Sequence, residues 1–359
     1  MSQPPSHLVS GFLAHLTMRV PIIQAPMAGV STPELVAAVS NAGGLGSLGL
    51  GAMSVDEARR VIRQTKERTA KPFNANFFCH QPARPDPQKD AAWLQRLAPE
   101  FARFNAEPPQ ELRELYTSFL CDEAQLEMLL DEAPRVASFH FGVPSKDAIN
   151  ALRHRGIFTL ATATDVSEAI MARDAGIDAI VAQGWEAGGH RGFFDPDAPD
   201  KQLAAMDLLP QIVAAIDIPV IAAGGIMNGA GIAEALSKGA VAAQMGTAFI
   251  TCTESSANGA YRAALTGQDA PQTVMTRAIS GRPARSLEND LTARLKGVPD
   301  SAIPDYPKTY DASKALNAVA VAVGETGFGA QWAGQAAGLV RPMPAEKLIQ
   351  TLAAEMAAV

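Results

Sequence analysis

The chain has 359 residues, of which 47% are hydrophobic, and a formal net charge of −7 at pH 7. This composition is typical of a globular protein with a large core, and its mild acidity argues against nucleic acid or an anionic membrane surface as a partner. No apolar stretch reaches the roughly 20 residues that span a bilayer, and no signal peptide is evident.

The cysteines Cys79, Cys121 and Cys252 are odd in number and far apart in the chain. This pattern indicates neither a disulfide framework nor a zinc site, and it is typical of a reducing compartment. We therefore expect a cytoplasmic protein. The sequence carries no signal for a particular oligomeric state.

Short apolar runs recur along the chain, and helical patterns follow most of them. The predicted strands are Pro21–Met27, Leu45–Leu50, Phe73–Phe78, Val136–Phe141, Phe158–Ala163, Ala179–Ala182, Pro219–Ala223 and Ala240–Met245. Helices are predicted at Thr32–Asn41, Ser54–Thr69, Asp165–Ala175 and Asn228–Ser237, with a capping box at Asp165–Glu168. This alternation of strand and helix predicts an α/β protein with a (β/α)₈ TIM barrel. An open doubly wound sheet is the alternative, disfavoured because no Rossmann fingerprint follows the first strand.

Two long segments interrupt the barrel pattern. Residues 81–132 form an insertion after the third strand, with a helical stretch around Pro109–Asp131. Residues 269–339 form an extension after the eighth strand. We expect these two segments to build a smaller, mainly helical substrate domain over the barrel mouth. The barrel itself is expected to comprise residues 15–80 and 133–268, closed by a C-terminal helix within 340–359.

The segment Ala179–Gly192 places a glycine-rich polar loop directly after a buried strand. The loop carries Gln183, Gly188 and His190, and barrels build their active sites from such loops. Glycine-rich turns also follow the seventh and eighth strands, at Gly224, Gly225 and Gly246. Such turns let backbone N–H groups approach an anion, and a helix starting near Asn228 would add its positive end. The pattern favours a phosphate site and contains no cluster with metal-ligand spacing.

Several motifs together resemble those of nitronate monooxygenases, formerly called 2-nitropropane dioxygenases. They are QAPMAGVSTPELVAAVSNAGGLGSLG, NANFF, SFHFG, VAQGWEAGGHRG, PVIAAGGI and AQMGTAF, in order from about residue 20 to residue 255. The paired HFG and EAGGHRG motifs most resemble class I of that family. The resemblance implies a TIM barrel that binds FMN at the strand ends.

The resemblance also implies roles for individual residues. Met27 would meet the isoalloxazine through its backbone, and Asn76 and Gln183 would hydrogen bond to the flavin ring or ribityl chain. The remaining implied cofactor-binding residues are Gly188, Gly224, Gly225, Gln244, Met245, Gly246 and Thr247. His190 matches the catalytic histidine of the family.

The implied reaction converts an alkyl nitronate and O₂ to a carbonyl compound and nitrite through a flavin semiquinone, and propionate 3-nitronate is the expected substrate. His190 has two candidate roles. Its ordinary pKa near 6.5 suits a base that deprotonates a neutral nitroalkane, and it could instead hold the nitro group through a hydrogen bond. His140, at a predicted strand end, is a further candidate for the pocket.

The tyrosines lie outside the predicted barrel strands, and the resemblance to class I places them in the substrate pocket. Tyr306, Tyr310 and Lys314 follow one another at four-residue spacing, which would put them on one face if this stretch is helical. The implied substrate-binding residues are His140, Tyr116, Tyr261, Tyr306, Tyr310 and Lys314. Two alternatives stay open: a flavin-dependent NAD(P)H:quinone or enoyl reductase, and a non-enzymatic barrel that binds a phosphate ligand.

Overall fold

The computed structural model describes residues 6–267 and 272–359. Eight parallel strands form one sheet in the order β1-β9-β8-β6-β5-β4-β3-β2, and a parallel bridge between Ile23 and Leu45 joins its two edges. The strands are β1 Ile22–Gln24, β2 Gly46–Gly49, β3 Phe73–Phe78, β4 Val136–His140, β5 Phe158–Ala163, β6 Ala179–Gln183, β7 Gly189–His190, β8 Val220–Ala223, β9 Ala242–Met245, β10 Thr273–Thr276 and β11 Ala284–Leu287. The predicted (β/α)₈ barrel is confirmed, since each predicted strand run overlaps one of the barrel strands.

Helices alternate with the barrel strands, and further helices lie in the two interrupting segments. The helices are α1 Ser6–His15, α2 Pro33–Asn41, α3 Val55–Arg68, α4 Pro87–Ala102, α5 Glu123–Glu132, α6 Lys146–His154, α7 Val166–Ala175, α8 Ala205–Ala215, α9 Gly229–Ser237, α10 Thr247–Ile250, α11 Gly259–Thr266, α12 Asp290–Arg294, α13 Lys308–Ala322 and α14 Ala345–Ala357. The C-terminal helix α14 buries Leu348, Ile349 and Leu352 in the same core as the barrel helices.

The amino-terminal end of the barrel is closed by apolar packing. Phe12 and Leu16, at the end of α1, lie in one cluster with Ile23, Leu45 and other inward-facing strand residues. Branched and aliphatic side chains fill a small barrel in this way, so its interior is a core and not a pore. The opposite end of the interior carries polar side chains. The space for a ligand is therefore at the carboxyl ends of the strands.

Two helix starts agree with their sequence signals, and one differs in detail. The Thr32 hydroxyl accepts from Leu35 N at 3.0 Å, and Ser54 with Glu57 forms a reciprocal capping box. Asp165 caps α7 by accepting from Glu168 N at 2.9 Å. The Glu168 carboxylate does not complete the predicted box, because it accepts from Thr164 N and the Thr164 hydroxyl instead.

The insertion after β3 is folded differently from the prediction. The expected helical stretch at Pro109–Asp131 is wrong in its first half, where residues 103–118 contain no helix. The missed helix is α4, which starts within the proline-rich segment. Pro87 occupies its first turn, where a missing N–H costs nothing, and the Asp86 side chain accepts from Lys89 N at 3.0 Å. Pro87 thus marks a helix start.

A second core lies outside the barrel and combines the two interrupting segments. Trp93, Leu97 and Phe101 from α4 pack with Leu316 from α13 and Phe328. A three-stranded antiparallel sheet, which the sequence did not suggest, joins β10 and β11 to β7. The predicted domain bounds stay a prediction, and the boundary at residues 268 and 269 lies outside the described residues. Among residues 6–267 and 272–359, no helix is long and apolar enough to cross a membrane.

A charged cluster ties the insertion to the barrel. The Glu132 carboxylate at the end of α5 accepts from Arg63 Nε at 2.8 Å and Lys66 Nζ at 3.0 Å, and Arg59 lies 3.2 Å away. Burial raises the pKa of Glu132, but the hydrogen bonds from Lys66 and Arg63 outweigh burial and lower the pKa below its ordinary value. The folded state therefore favours the ionised carboxylate.

We expect Glu132→Gln to lower the free energy of unfolding by about 1 kcal/mol at pH 7. A lowered folded-state pKa stabilises the protein above the unfolded pKa, and this stabilisation is lost as the pH falls through the folded value. The difference from wild type should therefore shrink below pH 4 in denaturant melts. Glu127→Gln, an exposed change on the same helix, is the control. An equal effect of both changes at every pH would contradict the prediction.

Candidate active site

One cavity of about 460 Å³ opens at the carboxyl ends of the barrel strands, beneath the second core. Ligand sites in barrels occupy this position. All the residues predicted for the site line this cavity: Met27, Asn76, Tyr116, His140, Gln183, Gly188, His190, Gly224, Gly225, Gln244, Met245, Gly246, Thr247, Tyr261, Tyr306, Tyr310 and Lys314. The structure thus brings together both predicted sets, while their roles stay predictions.

Asn76 and Gln183, the predicted amide contacts of the flavin, differ in which hydrogen-bonding atoms they keep available for a ligand. Asn76 donates its Nδ2 hydrogens to Ser138, at 2.9 Å from Oγ and 3.2 Å from the carbonyl oxygen. Its Oδ1 has no partner among the described residues. Gln183 donates to the His190 carbonyl at 2.9 Å and accepts from Gly192 N at 2.8 Å. Gln183 therefore retains one amide hydrogen for a ligand and also holds the loop that carries His190.

A corner of the cavity is built from backbone. Gly224 and Gly225 have φ values of +122° and +69°, a region that L side chains rarely adopt. A Cβ at Gly246 would lie 3.5 Å from Ala25 Cβ and 3.9 Å from Met27 Sδ, both of which line the cavity. A side chain there would take up cavity space. The three glycines leave a corner where a ligand can approach main-chain groups.

The expected contribution of the helix near Asn228 is changed by its caps. Helix α9 begins at Gly229, and the Asn228 side chain accepts from Gly231 N at 2.9 Å. The Glu355 carboxylate accepts from Gly229 N at 2.9 Å. These two groups already occupy the first N–H groups of the helix. A ligand phosphate would therefore rely on the turns around Gly225 and Gly246.

The opposite wall of this corner comes from the end of the extension. Gly188 and Gly334 meet so closely that a Cβ at Gly188 would lie 2.5 Å from Gly334 N. Gly334 N donates to the Thr247 hydroxyl at 3.0 Å. The predicted roles of Gly188 and Thr247 are therefore accompanied by a structural one, because both residues attach the extension to the barrel.

His190 lies on β7 at the centre of the cavity wall. Its Nε2 is 2.9 Å from the Ser280 hydroxyl oxygen, and its backbone carbonyl accepts from Gln183 and from His140 Nε2, at 3.2 Å from the latter. A carbonyl can only accept, so the neutral His140 carries its hydrogen on Nε2. His140 Nδ1 then accepts from the Thr162 hydroxyl at 3.0 Å. His140 thus supports His190 from behind.

Aromatic rings enclose the His190 imidazole. The centroid of the Trp332 ring lies 4.9 Å from it, and those of Phe141 and Tyr306 lie 5.5 Å from it. Burial, followed by the charges of nearby cationic groups, lowers the pKa of His190 well below its ordinary value. Burial also lowers the pKa of His140 to about 4. Both imidazoles are therefore neutral at pH 7.

The predicted tyrosines surround the outer part of the cavity, and their hydroxyls are used differently. The Tyr261 hydroxyl donates to the Trp332 carbonyl, so it supports the ring that stacks on His190. The buried Tyr306 hydroxyl has no partner among the described residues. Burial raises the pKa of Tyr310, although a hydrogen bond with the Trp332 side chain opposes this change. All three tyrosines are therefore protonated at neutral pH.

Lys314 supplies the cationic group of this region. Its Nζ lies 5.0 Å from the ring centroid of Tyr116 and 5.2 Å from that of Tyr310. Burial lowers the pKa of Lys314, and Asp311 partly offsets this effect. The Asp311 carboxylate pairs with Arg113 at 3.4 Å. In the part of the chain that the structure describes, no carboxylate lies within 4.0 Å of Lys314 Nζ, so its charge has no ion-pair partner there.

Sequence reasoning missed Ser280, Arg282 and Trp332, because none follows a barrel strand. The Arg282 guanidinium lies 4.2 Å above the Phe141 ring, almost fully buried. His80 is also buried, with its ring 4.9 Å from Tyr306. Burial and then the Arg282 charge lower the pKa of His80 to about 4. The SGRPAR segment offered no periodicity or motif that would have indicated these contacts.

A ligand cavity at this end of an eight-stranded barrel, with glycine on one side and neutral histidine and tyrosine on the other, is typical of the active site of an α/β-barrel enzyme. The chain belongs to the nitronate monooxygenase family, whose family model matches residues 10–355. This membership makes the chain an enzyme. The alternative of a non-enzymatic phosphate-binding barrel is therefore wrong.

Individual relatives agree with this assignment. The chain is 57% identical over 337 residues to a nitronate monooxygenase of Paraburkholderia phytofirmans, covering 94% of this chain and 92% of that protein. Among solved structures, a nitroalkane oxidase from Streptomyces ansochromogenes superposes with a TM-score of 0.87 at 40% identity, covering 96% of this chain and 98% of that one. FabK from Thermotoga maritima superposes with a TM-score of 0.73 at 28% identity, covering 97% and 96%.

We expect Arg282→Met to raise the pKa of His80 above about 4, because removing a nearby positive charge makes the protonated imidazole less unfavourable. The value should stay below 6.5, since His80 remains buried. Histidine ring protons followed by NMR during a pH titration would measure the change. Arg282→Lys, which keeps the charge, is the control and should leave the pKa lowered. A His80 pKa that is the same in the Met variant and the wild type would refute the electrostatic role of Arg282.

Proposed function

We propose that the chain oxidises alkyl nitronates with O₂ to a carbonyl compound and nitrite, using FMN. One observation carries this proposal. The same cavity holds a glycine-lined corner and, across from it, a neutral imidazole, tyrosine hydroxyls and a lysine that has no carboxylate partner among the described residues. The corner suits a phosphorylated cofactor, and the opposite side suits a small organic anion.

The residues present fit FMN. Gly225 and Gly246 leave main-chain groups open to a phosphate, and glycine-rich turns of barrels bind phosphate in this position. Asn76 Oδ1 and one amide hydrogen of Gln183 face the cavity as acceptor and donor for ring atoms. The family is flavin-dependent in general, which also supports this choice. FMN would lie along the strand ends, with Met27 beside the ring.

When bound, FMN supplies the electron exchange between the nitronate and dioxygen. The protein supplies binding and orientation. The His190 imidazole lies next to the space where substrate would meet the cofactor, and its lowered pKa keeps it neutral at pH 7. Trp332, Tyr306 and Phe141 surround it with apolar surface that excludes water. In this medium a hydrogen bond to a substrate anion is stronger than it is in water.

Lys314 indicates which nitronate is preferred. Its ammonium group lies between the rings of Tyr116 and Tyr310, at the outer end of the cavity. A substrate with a nitronate at one end and a carboxylate at the other would meet both His190 and this cation. Propionate 3-nitronate has this form, and it is the substrate we propose.

We assign cofactor binding to the part of the chain around the barrel core and substrate binding to the part around the second core. Residues 15–80 and 133–268, with 340–359, form the FMN-binding barrel, and residues 81–132 and 269–339 form the substrate domain. The separate core around Trp93 and Phe328 supports this division. The protein acts in the cytoplasm, and the three cysteines support a reducing compartment, since all are free.

The decisive measurement mixes the purified holoenzyme without oxygen with propionate 3-nitronate and, separately, with NADH. We expect the absorbance of the flavin to show one-electron reduction by the nitronate and no change with NADH. Admission of O₂ should then yield nitrite. Two-electron bleaching by NADH, with no response to the nitronate, would replace this proposal with the alternative of an NAD(P)H:quinone or enoyl reductase.

Lys314→Met should raise the KM for propionate 3-nitronate about tenfold, because the carboxylate loses its cationic partner. The KM for propyl-1-nitronate, which lacks the carboxylate, should change less than about threefold. Lys296→Met, an equal loss of charge at an exposed position, should change neither value. An equal rise for both substrates would show that Lys314 does not recognise the carboxylate.

A further inference from the structure

The His190 imidazole has one polar neighbour that can decide where its proton sits. Ser280 is fully buried, and its hydroxyl oxygen lies 2.9 Å from His190 Nε2. The same oxygen lies 3.3 Å from Arg282 N and 3.2 Å from the Arg282 carbonyl oxygen. Ser280 thus accepts from one backbone N–H group and has a single proton to donate. The proton goes to either His190 Nε2 or the Arg282 carbonyl.

The turn that presents Ser280 is held in place by the backbone of the substrate region. Gly281 has a φ of +95°, and a Cβ there would lie 2.5 Å from Tyr306 N and 2.7 Å from the Pro304 carbonyl oxygen. A side chain at this position is therefore excluded, which keeps the turn tight against the segment before α13. The hydroxyl of Ser280 is consequently fixed relative to His190.

The two ring nitrogens of His190 differ in their surroundings. Nε2 faces Ser280, whereas Nδ1 has no hydrogen-bond partner among the described residues and is not enclosed by protein atoms. Because His190 lines the cavity, Nδ1 is the nitrogen that a substrate meets. A neutral imidazole carries one proton, so the partner of Nε2 determines whether Nδ1 donates or accepts.

We infer that Ser280 is a positioning residue that holds His190 in the tautomer with its proton on Nδ1, so that His190 donates a hydrogen bond to the anionic substrate. The shorter of the two contacts of the Ser280 hydroxyl is the one to Nε2, at 2.9 Å against 3.2 Å. This tautomer leaves no lone pair on Nδ1. The identification of the anion as a nitronate rests on the proposed function, and the tautomer does not.

The other groups around the ring leave this choice to Ser280. His140 bonds to the backbone carbonyl of His190 and not to its ring. Trp332, Phe141 and Tyr306 contact the ring through their aromatic faces or edges. The nearby charged group is the buried Arg282, whose guanidinium lies 4.2 Å from the centroid of the Phe141 ring. A nearby cation disfavours the doubly protonated, positively charged ring. The imidazole therefore stays neutral, with its one proton on either Nδ1 or Nε2.

The direct test is the ¹⁵N NMR spectrum of the histidine-labelled holoenzyme. The shifts of the two ring nitrogens distinguish a protonated from an unprotonated nitrogen, and loss of signals in His190→Asn assigns those of His190. We expect the proton on Nδ1 in the wild type and a mixture of tautomers in Ser280→Ala. A wild-type proton on Nε2 would overturn the inference, and this result does not depend on turnover.

Kinetics provide a second readout. Ser280→Ala should raise the KM for propionate 3-nitronate about tenfold while kcat changes less than about threefold, because the donor to the anion is no longer oriented. Ser280→Thr, which keeps the hydroxyl, should restore the wild-type KM. Ser40→Ala is the matched control. It removes a buried hydroxyl that accepts from Gly46 N at 3.1 Å, far from the cavity, and should leave KM unchanged.

Two substitutions of His190 separate a donor from a base. Asn places an amide near the position of Nδ1, and Gln places one near Nε2. If His190 donates through Nδ1, His190→Asn should retain nitronate turnover within about tenfold of wild type, and His190→Gln should lose more. A loss of 100-fold or more in both variants, as expected for removal of a general base, would contradict the inference. A wild type with the expected tautomer but no nitronate turnover would overturn the proposed function alone.

Discussion

The buried ion pair between Arg191 and Asp200 fixes the loop on which the whole site depends. Arg191 Nε lies 2.9 Å from the Asp200 carboxylate, and its Nη1 donates to the carbonyls of Gln183 and Gly184, at 3.0 and 2.9 Å. A buried guanidinium is costly to desolvate unless its hydrogens are paired. Here the pairing is with the end of β6, so the charge is stabilised only when the loop returns to the strand. His190 directly precedes Arg191, so the contacts of Arg191 also fix the position of His190.

The two cores then close the space above His190. The barrel core holds the strand ends, while Tyr310 packs against the second core and lines the cavity together with Tyr306. The short sheet from β7 to β11 and β10 connects them, because His190 pairs with Ala284. Neither part alone forms the pocket. The cavity therefore lies between the barrel and the second core, and the strand that carries His190 joins the two.

Much of this arrangement could be predicted from the sequence, because the relevant signals are local. Apolar runs followed by polar or glycine residues indicated the barrel and its strand ends, including Asn76 and Gln183. The start of α4 at Pro87 was missed because proline in a first helical turn looks like a loop. Ser280 and Trp332 were missed for another reason. They reach His190 through chain segments 90 and 142 residues away, and no local pattern encodes such a contact.

The cavity contains two sets of groups that suit anions in different ways. The glycine corner offers main-chain groups. The first N–H group of α9 is not among them, because Gly229 N already donates to the Glu355 carboxylate. The outer region offers Lys314 and neutral hydrogen-bond groups. Many backbone dipoles together can hold a phosphate without a charged side chain. A small substrate that must enter and leave needs fewer but stronger contacts. Under the proposed function, the field of Lys314 would attract the substrate anion. The neutral His190 imidazole would then orient that anion without forming an ion pair that would retain it.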